Sequence, residues 1–178
     1  MTEYQQREKI HHSSTVTEAI FHTAIAIALS QVCESTGWDY GEAWIPNERG
    51  TILEISPAWY FSTRVHKTRV PIWEEFRRCS QDFILFRGEG LPGRAWLLQH
   101  PQWVSDASAE SETIFIRHQI AKDCDVKAGL AVPIIAKSKV IAIFVFFMSQ
   151  ARAKDPQLIA RTQAKAMQLG KLSPHFLI

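Results

Sequence analysis

The chain has 178 residues, of which 46% are hydrophobic and 21% are charged, and its formal net charge is +2. A chain of this length most simply forms one folded domain, and a charge this small gives no electrostatic footprint for nucleic acid. The three cysteines, Cys33, Cys79 and Cys124, lack zinc-site spacing, so the sequence predicts neither a disulfide framework nor a metal site.

The N-terminal stretch "MTEYQQREKIHHSS" is polar and is not a secretory signal. The apolar runs "AIAIAL" and "VIAIFVFFM" are each shorter than the ~20 residues that cross a bilayer, so we expect a cytoplasmic protein without a membrane partner. Residues 1–13 form either a polar lead-in or the start of a longer helix. Thr15 and Glu18 have capping-box spacing and predict a helix start, and Gly37 predicts a left-handed cap at its end.

The next segments, "YGEAWIP" and "TILEISPAWYF", predict two strands joined by the turn residues "NERG". Pro57 cannot donate to a strand ladder and therefore predicts an edge strand. A short helix is expected to begin at Pro71, followed by a strand in "FILF". Beyond the glycines that follow, at most about nine helical residues precede Pro101, and "QWVSDAS" predicts a strand and a turn.

The C-terminal third predicts a helix in "ESETIFIRHQIAKDC" and then a hairpin in "KAGLAVPIIAKSKVIAIFVFFMS", with "AKSK" as its tight turn. A last helix is expected to begin at Asp155 and Pro156 and to end at Gly170. Adjacent hairpins indicate an antiparallel sheet, and the terminal helices can pack together on one of its faces. The predicted fold class is therefore α+β.

Gly88, Gly90 and Gly93 have the G-x-G-x-x-G spacing of dinucleotide-binding turns. That interpretation requires a parallel βαβ unit and a long helix after the third glycine. Here Pro101 limits the helix, Pro92 has no N–H to offer a phosphate, and the neighbouring segments are hairpins. We therefore reject a dinucleotide site and expect the glycines to permit a strained turn and close helix packing.

The same stretch, "GEGLPGRAW", resembles the signature of GAF domains, which are sensory modules of bacterial signal-transduction proteins such as sensor histidine kinases. The signature residues are Gly88, Gly90, Leu91, Pro92, Gly93, Arg94 and Trp96. The resemblance extends in consistent order over about residues 16–172. We therefore predict a polar lead-in at 1–13, a single GAF domain at 14–172 and a C-terminal tail at 173–178.

The resemblance implies a GAF/PAS-like fold, in which about six antiparallel strands carry the N- and C-terminal helices on one face and a ligand pocket on the other. Aromatic and imidazole side chains are the candidates for lining that pocket, although rings at strand and helix spacing usually belong to the core. The candidates are Trp44, Trp73, Phe76, Phe86, Phe115, His118 and Phe146.

Ligands of the family include cyclic nucleotides, bilins, haem and small metabolites, and some members bind none, so the cofactor stays unknown. Bilin-binding relatives use a cysteine in the helix before the hairpin; that position falls near Ile116, followed by Arg117, so a covalent bilin is not expected. Haem at His118, or an iron–sulfur cluster on the three thiolates, is an open alternative. A polar residue on a partly buried helix is the more ordinary role for His118.

A second alternative is the stand-alone enzyme of this family, free methionine-(R)-sulfoxide reductase, which also has three cysteines. That enzyme carries G-V-C-G in its glycine turn, and Pro92 replaces the needed thiol here. No nucleophile and base or paired carboxylates at defined spacing support catalysis. We therefore expect a non-catalytic module.

Residues 64–87 are the most basic region and could bind an anionic ligand or partner, although Glu74 and Glu75 among them favour a solvated face. In this family the first and last helices commonly form a dimer bundle. We therefore expect a homodimer in which a small molecule biases the packing of these helices. The output, as in a two-component system, would lie on another chain or outside these residues.

Overall fold

A computed structural model describes residues 3–172, with the surroundings of side chains from residue 16 to residue 168; the predicted tail at 173–178 lies outside them. The elements follow the predicted order. In chain order they are α1 (Glu3–Thr36), β1 (Tyr40–Pro46), β2 (Leu53–Phe61), α2 (Val70–Ser80), β3 (Ile84–Leu85), α3 (Gly90–Leu98), β4 (Gln102–Val104), α4 (His118–Asp123), β5 (Gly129–Ala136), β6 (Lys139–Phe147) and α5 (Pro156–Leu172).

The six strands form one antiparallel sheet in the order β3-β2-β1-β6-β5-β4. This confirms the predicted α+β class. The β5–β6 hairpin turns at Lys137 and Ser138, whose φ angles are 48° and 63°. Two successive positive φ angles match the right-handed twist of the flanking strands, as the predicted tight turn requires.

Two apolar layers cover the two faces of the sheet. The back layer holds α1 and α5, through residues such as Leu29 and Leu158. The front layer holds α2, α3 and α4, through residues such as Phe76, Trp96 and Ala121. The terminal helices therefore pack on one face, as predicted, and a separate group of short helices covers the other.

The first helix is longer than predicted, because α1 already begins at Glu3. Thr15 consequently lies inside the helix, so the predicted capping-box start was wrong, and the described residues before Thr15 belong to the same helix. The C-terminal cap is confirmed. Gly37 has φ 91° and donates its N–H to the Cys33 carbonyl at 3.1 Å.

The Val16–Thr36 part of α1 is long and apolar enough, by length and composition, to cross a membrane. The apolar run "AIAIAL" alone did not indicate this, because polar residues interrupt the apolar sequence on either side of it. Ile25 and Leu29 of this part are fully buried against the sheet, whereas Ile20 and Ile27 are 48% and 54% exposed. The helix therefore has a second apolar face that points outward.

The last helix begins as predicted, since the Asp155 carboxylate accepts the Leu158 N–H at 2.9 Å. Its end does not follow the prediction, because the helix continues through Gly170 to Leu172. A glycine inside a helix costs only about 1 kcal/mol, which neighbouring helix-forming residues offset.

The helix predicted from residue 110 is reduced to the six residues of α4. Upstream of α4 the chain forms turns, in which the Asp106 carboxylate accepts the Ser108 N–H at 3.0 Å and the Ser111 carbonyl accepts the Phe115 N–H at 2.9 Å. The second of these bonds is a single helical turn that does not continue, and the helix starts only at His118.

Pro57 lies in a bulge of β2. Between the pairs Glu42–Trp59 and Trp44–Ile55, β2 has three residues opposite a single residue of β1. On its other side β2 pairs with β3 only at its first two residues, so Pro57 meets no strand there. The edge-strand prediction therefore holds only for the second half of β2.

Candidate functional site

The front layer is built around a group of packed rings. The Tyr40 ring stacks on Trp73, with 5.2 Å between centroids and planes 6° apart. Phe76 meets both Tyr40 and Phe147 edge-on, at 5.7 and 5.4 Å. Stacked and edge-on pairs are the favoured aromatic geometries, so these rings form a well-defined layer between α2 and the sheet.

A buried carboxylate, Glu42, lies in the middle of this layer. Alternation along β1 places it on the same face as Tyr40 and Trp44, and both residues donate to it. The Tyr40 hydroxyl donates to Oε2 at 3.0 Å, and Trp44 Nε1 donates to Oε1 at 2.8 Å. Burial, followed by the Glu42 charge, raises the pKa of the Tyr40 phenol well above its usual value, so Tyr40 remains a donor.

The counter-charge of Glu42 is Arg117, whose Nη2 donates to Oε1 at 2.6 Å. Glu42 is fully buried and Arg117 is 1% exposed. Arg117 Nη1 donates to the Ser80 hydroxyl at 2.8 Å. Four rings surround the guanidinium carbon at 5.0–5.6 Å from their centroids, those of Trp44, Phe76, Phe115 and Phe147. Cation–π contacts therefore hold the chain's own guanidinium at the centre of the front layer.

A second buried arginine, Arg77, lies at the side of α2 that faces β2 and is 4% exposed. Its Nη2 donates to the Ser56 carbonyl at the β2 bulge. On the opposite face of the sheet, the Ser56 hydroxyl lies 2.9 Å from Nδ1 of His22 on α1. Ser56 thus contacts both the front layer and a back helix.

The predicted pocket residues divide into three groups. Four of them come together in the front layer: Trp44, Trp73, Phe76 and Phe115. Phe146 lies on the back face and packs on Trp38, because side chains alternate along β6 and Val145 and Phe147 occupy the front. Phe86 is 51% exposed beyond β3, and His118 is partly buried at the first turn of α4.

Glu42, Arg77 and Arg117 were not among the predicted site residues. A signal existed for Glu42, because a carboxylate that alternates with Tyr40 and Trp44 on a strand shares their buried face. For Arg77 the signal was its position one helical turn after Trp73. Nothing in its local sequence marks Arg117, which follows a run of turns.

The glycine signature forms a tight turn into α3. Gly88 and Gly90 have φ angles of 87° and 56°, which favour glycine. A Cβ atom at Gly93 would lie 2.4 Å from the Phe86 carbonyl oxygen. Arg94 donates to the Ile114 carbonyl, and the Arg87 guanidinium lies 4.2 Å from the centroid of the Trp96 ring. The first contact connects α3 to the segment before α4, and the second connects the turn to α3.

The sequence model of the GAF domain family matches residues 21–169. The chain belongs to the GAF domain family. This match covers the helix α1 from its sheet-facing part onward, the whole sheet and the front-layer helices, so both layers are parts of one GAF domain.

Solved structures share the fold of this GAF domain at low sequence identity. The GAF domain of a phosphoenolpyruvate-protein phosphotransferase from Coxiella burnetii has a TM-score of 0.63 and 18% identity, over 98% of this chain and 96% of that chain. The corresponding domain from Acinetobacter has a TM-score of 0.60 and 18% identity, over 87% and 82% of the two chains. Free methionine-R-sulfoxide reductase from Neisseria meningitidis, solved with its substrate, has a TM-score of 0.60 and 16% identity over the same shares.

The three thiols of this GAF domain do not form a common site. Cys33 lies in the back layer and Cys124 in the front layer, so they cannot bind one iron–sulfur cluster, and that alternative is wrong. Burial raises the pKa of Cys33 far above its usual value and that of Cys124 to about 11. The pKa of Cys79 is raised by its hydrogen bond to Glu75, at 3.2 Å. All three are therefore thiols, not nucleophilic thiolates, at neutral pH.

Proposed function

We propose that this GAF domain is a non-catalytic regulatory module of signal transduction, in which a change in the front layer alters the packing of the terminal helices. Its output would act through another chain or another part of the same protein. Family membership supports a sensory role, and the raised pKa values of the thiols together with Pro92 in the signature turn argue against a reductase. Thioredoxin-dependent reduction of free methionine sulfoxide by the purified chain would contradict the proposal.

The observation that carries the proposal is the polar connection through the sheet at Ser56. The β2 bulge takes the Ser56 carbonyl out of the β1–β2 ladder, so it can accept from Arg77 on the front. The hydroxyl of the same residue contacts His22 on α1. A displacement of α2 would therefore change the position of Ser56 and, through Ser56, the packing of α1 on the sheet.

Hydrogen–deuterium exchange of α1 tests this connection. Arg77→Met is expected to raise the exchange of peptides containing His22, because the Ser56 carbonyl loses its donor. Arg78→Met on the same helix is the matched control, since its partner Glu75 is exposed on α2 itself. In a His22→Ala background the effect of Arg77→Met should become smaller. Equal α1 exchange in the Arg77 and Arg78 variants would contradict the connection.

The outward face of α1 fits a dimer interface. Val16, Ile20, Thr23 and Ile27 are all exposed, and their successive separations of four, three and four residues match the core positions of a coiled coil. The neighbouring helix α5, which packs against α1, exposes Met167 by 41%. A second copy of the chain presenting the same stripe would bury both surfaces.

Sedimentation analysis tests the dimer. The unmodified chain is expected to sediment as a dimer. The double variant I20D/I27D is expected to sediment as a folded monomer with unchanged circular dichroism, because each new carboxylate would be buried in the interface opposite the same carboxylate of the second copy. Ile84→Asp is the control, since Ile84 on β3 is 52% exposed but lies away from α1. A monomeric parent chain, or a double variant that stays dimeric, would contradict the dimer.

A further inference from the structure

Large apolar side chains are exposed in two separate groups. Among the described residues, those that are 41–54% exposed lie either on the terminal helices or between residues 84 and 114. The first group belongs to the proposed dimer face. The second group consists of Ile84, Phe86, Leu97, Leu98 and Ile114. A single exposed apolar side chain needs no explanation, but several in one place mark an interaction surface.

Part of the second group lies at the signature turn. Leu97 covers this turn, since a Cβ atom at Gly88 would lie 3.4 Å from Cδ2 of Leu97. The Phe86 carbonyl oxygen faces Gly93, which is one helical turn before Leu97. Phe86 and Leu97 are therefore neighbours on the outer side of the turn.

Leu98 and Ile114 extend this surface along the adjacent face of α3. Leu98 is one helical turn after Arg94, so the two residues lie on the same face. Arg94 in turn donates to the Ile114 carbonyl. Each of the four side chains around α3 is 44–54% exposed, and together they are called the α3 patch: Phe86, Leu97, Leu98 and Ile114.

The charge beside the α3 patch is positive. Arg87, at the end of the basic region, lies over the Trp96 ring at 4.2 Å, and within the described side chains it has no carboxylate at ion-pair distance. Arg94 donates to a carbonyl, and Glu110 acts on it only from beyond that distance. The Glu89 carboxylate accepts a backbone N–H of the turn at 2.9 Å. A guanidinium stacked on a ring keeps its N–H edge for a carboxylate, so the surface favours an acidic partner.

Size and charge argue against a second copy of the chain on the α3 patch. Its four half-exposed side chains present on the order of 400 Å² of apolar surface, whereas each partner in a stable complex of two folded proteins buries about 800 Å². A two-fold contact would also bring Arg87 and Arg94 of both copies together, because the same surface meets itself. The charges would then repel each other.

The backbone at the α3 patch favours a helix over an extended peptide. The Gly88 N–H donates to the Gly93 carbonyl and the Gly93 N–H to the Glu89 carbonyl, so the turn pairs its own polar groups. An extended peptide would therefore find no row of backbone partners here. A helix satisfies its own backbone groups and binds through side chains on one face.

We propose that the α3 patch docks an acidic amphipathic helix of another protein. Its apolar side chains, spaced three or four residues apart, would cover the patch, and an aspartate or glutamate beside them would pair with Arg87. The helix would bind to the outer surface of the front layer, without opening the packed rings. This inference rests on the proposed regulatory function, because that function requires an output partner.

A displayed library of amphipathic helices of about 16 residues, roughly four turns, tests the docking surface. The library is selected on the unmodified chain and counter-selected on the double variant L97D/L98D. We expect enriched sequences with large apolar residues at helical spacing and aspartate or glutamate beside them. No enrichment over the counter-selected variant would overturn the docking site, and enriched sequences rich in lysine or arginine would overturn the acidic assignment.

Fluorescence anisotropy of the most enriched peptide, synthesised with a label, measures its affinity for the variants. L97D/L98D is expected to weaken binding about tenfold or more, since two carboxylates would have to be buried. If circular dichroism shows that this variant does not fold, Phe86→Ser should weaken binding about threefold to tenfold. The control is I20D/I27D, which introduces two aspartates into the other apolar group and should bind as the unmodified chain does. Unchanged affinity in both patch variants would overturn the proposal.

Charge reversal separates pairing from a structural role of Arg87. Arg87→Glu is expected to weaken binding of the acidic peptide about tenfold. A peptide in which lysine replaces the acidic residues should bind Arg87→Glu more tightly than it binds the unmodified chain. A merely structural role of Arg87 would weaken the binding of both peptides alike, and that result would overturn the ion pair.

Two other occupants are outcomes of the same variants. Phosphatidylglycerol vesicles that bind the unmodified chain but not L97D/L98D, with phosphatidylcholine vesicles as the control, would assign the α3 patch to a membrane surface and overturn the helix. L97D/L98D is expected to sediment as the same oligomer as its parent. A smaller oligomer would make the patch an interface between copies and would also overturn the helix.

The docking site and the regulatory function fail separately. Loss of the docking site would leave the predicted response of α1 exchange to Arg77→Met untouched. A chain that binds the enriched peptide through the α3 patch, but shows equal α1 exchange in the Arg77 and Arg78 variants, would keep the docking site and contradict the regulatory connection.

Discussion

Glu42→Gln is expected to lower the free energy of unfolding by about 3–5 kcal/mol, the usual effect of removing one partner from a buried ion pair. The side-chain volume is nearly unchanged, so the loss would come from leaving the Arg117 guanidinium, 1% exposed, without a counter-charge. Urea-induced unfolding followed by tryptophan fluorescence measures the change, because the front layer contains Trp44 and Trp73.

The control for this substitution is Glu75→Gln, which removes the carboxylate of an ion pair whose two side chains are 49% and 68% exposed. We expect no measurable change in its urea midpoint, since exposed pairs contribute little. The double variant E42L/R117M should recover only part of the loss, because apolar side chains can replace the buried pair but leave the Tyr40 hydroxyl and Trp44 Nε1 without their acceptor. A Glu42→Gln midpoint that matches Glu75→Gln would show that Arg117 finds compensation elsewhere.

Much of the fold could be predicted because local interactions determine it. The cap at Gly37, the Asp155 carboxylate at the start of α5 and the turn at Lys137 and Ser138 depend on residues no more than four positions apart. The start of α1 could not be predicted this way, since the capping-box pattern around Thr15 also fits the interior of a longer helix. Local sequence therefore identified elements better than their ends.

The site was less predictable because its central contact is distant in sequence. Glu42 and Arg117 are 75 positions apart, and only the folded sheet brings them together. The face of the sheet on which Phe146 lies could not be predicted either, because β6 is apolar on both sides and its sequence has no period of two. The sequence could predict that aromatic residues line this layer, but it could not predict which charged residues lie among them.

Gly93→Ala is expected to lower the free energy of unfolding by about 3 kcal/mol, the upper range for forcing an added carbon into a packed site. The new Cβ atom would lie 2.4 Å from the Phe86 carbonyl oxygen and 3.3 Å from the Gly88 nitrogen. Both are backbone atoms of the same turn. A rotamer change cannot relieve the clash, so the turn itself would have to move.

That movement would also weaken the hydrogen bonds that close the turn, from the Gly88 N–H to the Gly93 carbonyl at 2.8 Å and from the Gly93 N–H to the Glu89 carbonyl at 2.9 Å. Gly50→Ala is the matched control. Gly50 has φ 64° but open space where a Cβ would be, so only backbone strain of about 1 kcal/mol is expected. Urea midpoints of the two variants separate the effects. A loss at Gly93 no larger than that at Gly50 would show that the turn adapts, and close packing would then not explain why the third position of the G-x-G-x-x-G pattern is glycine.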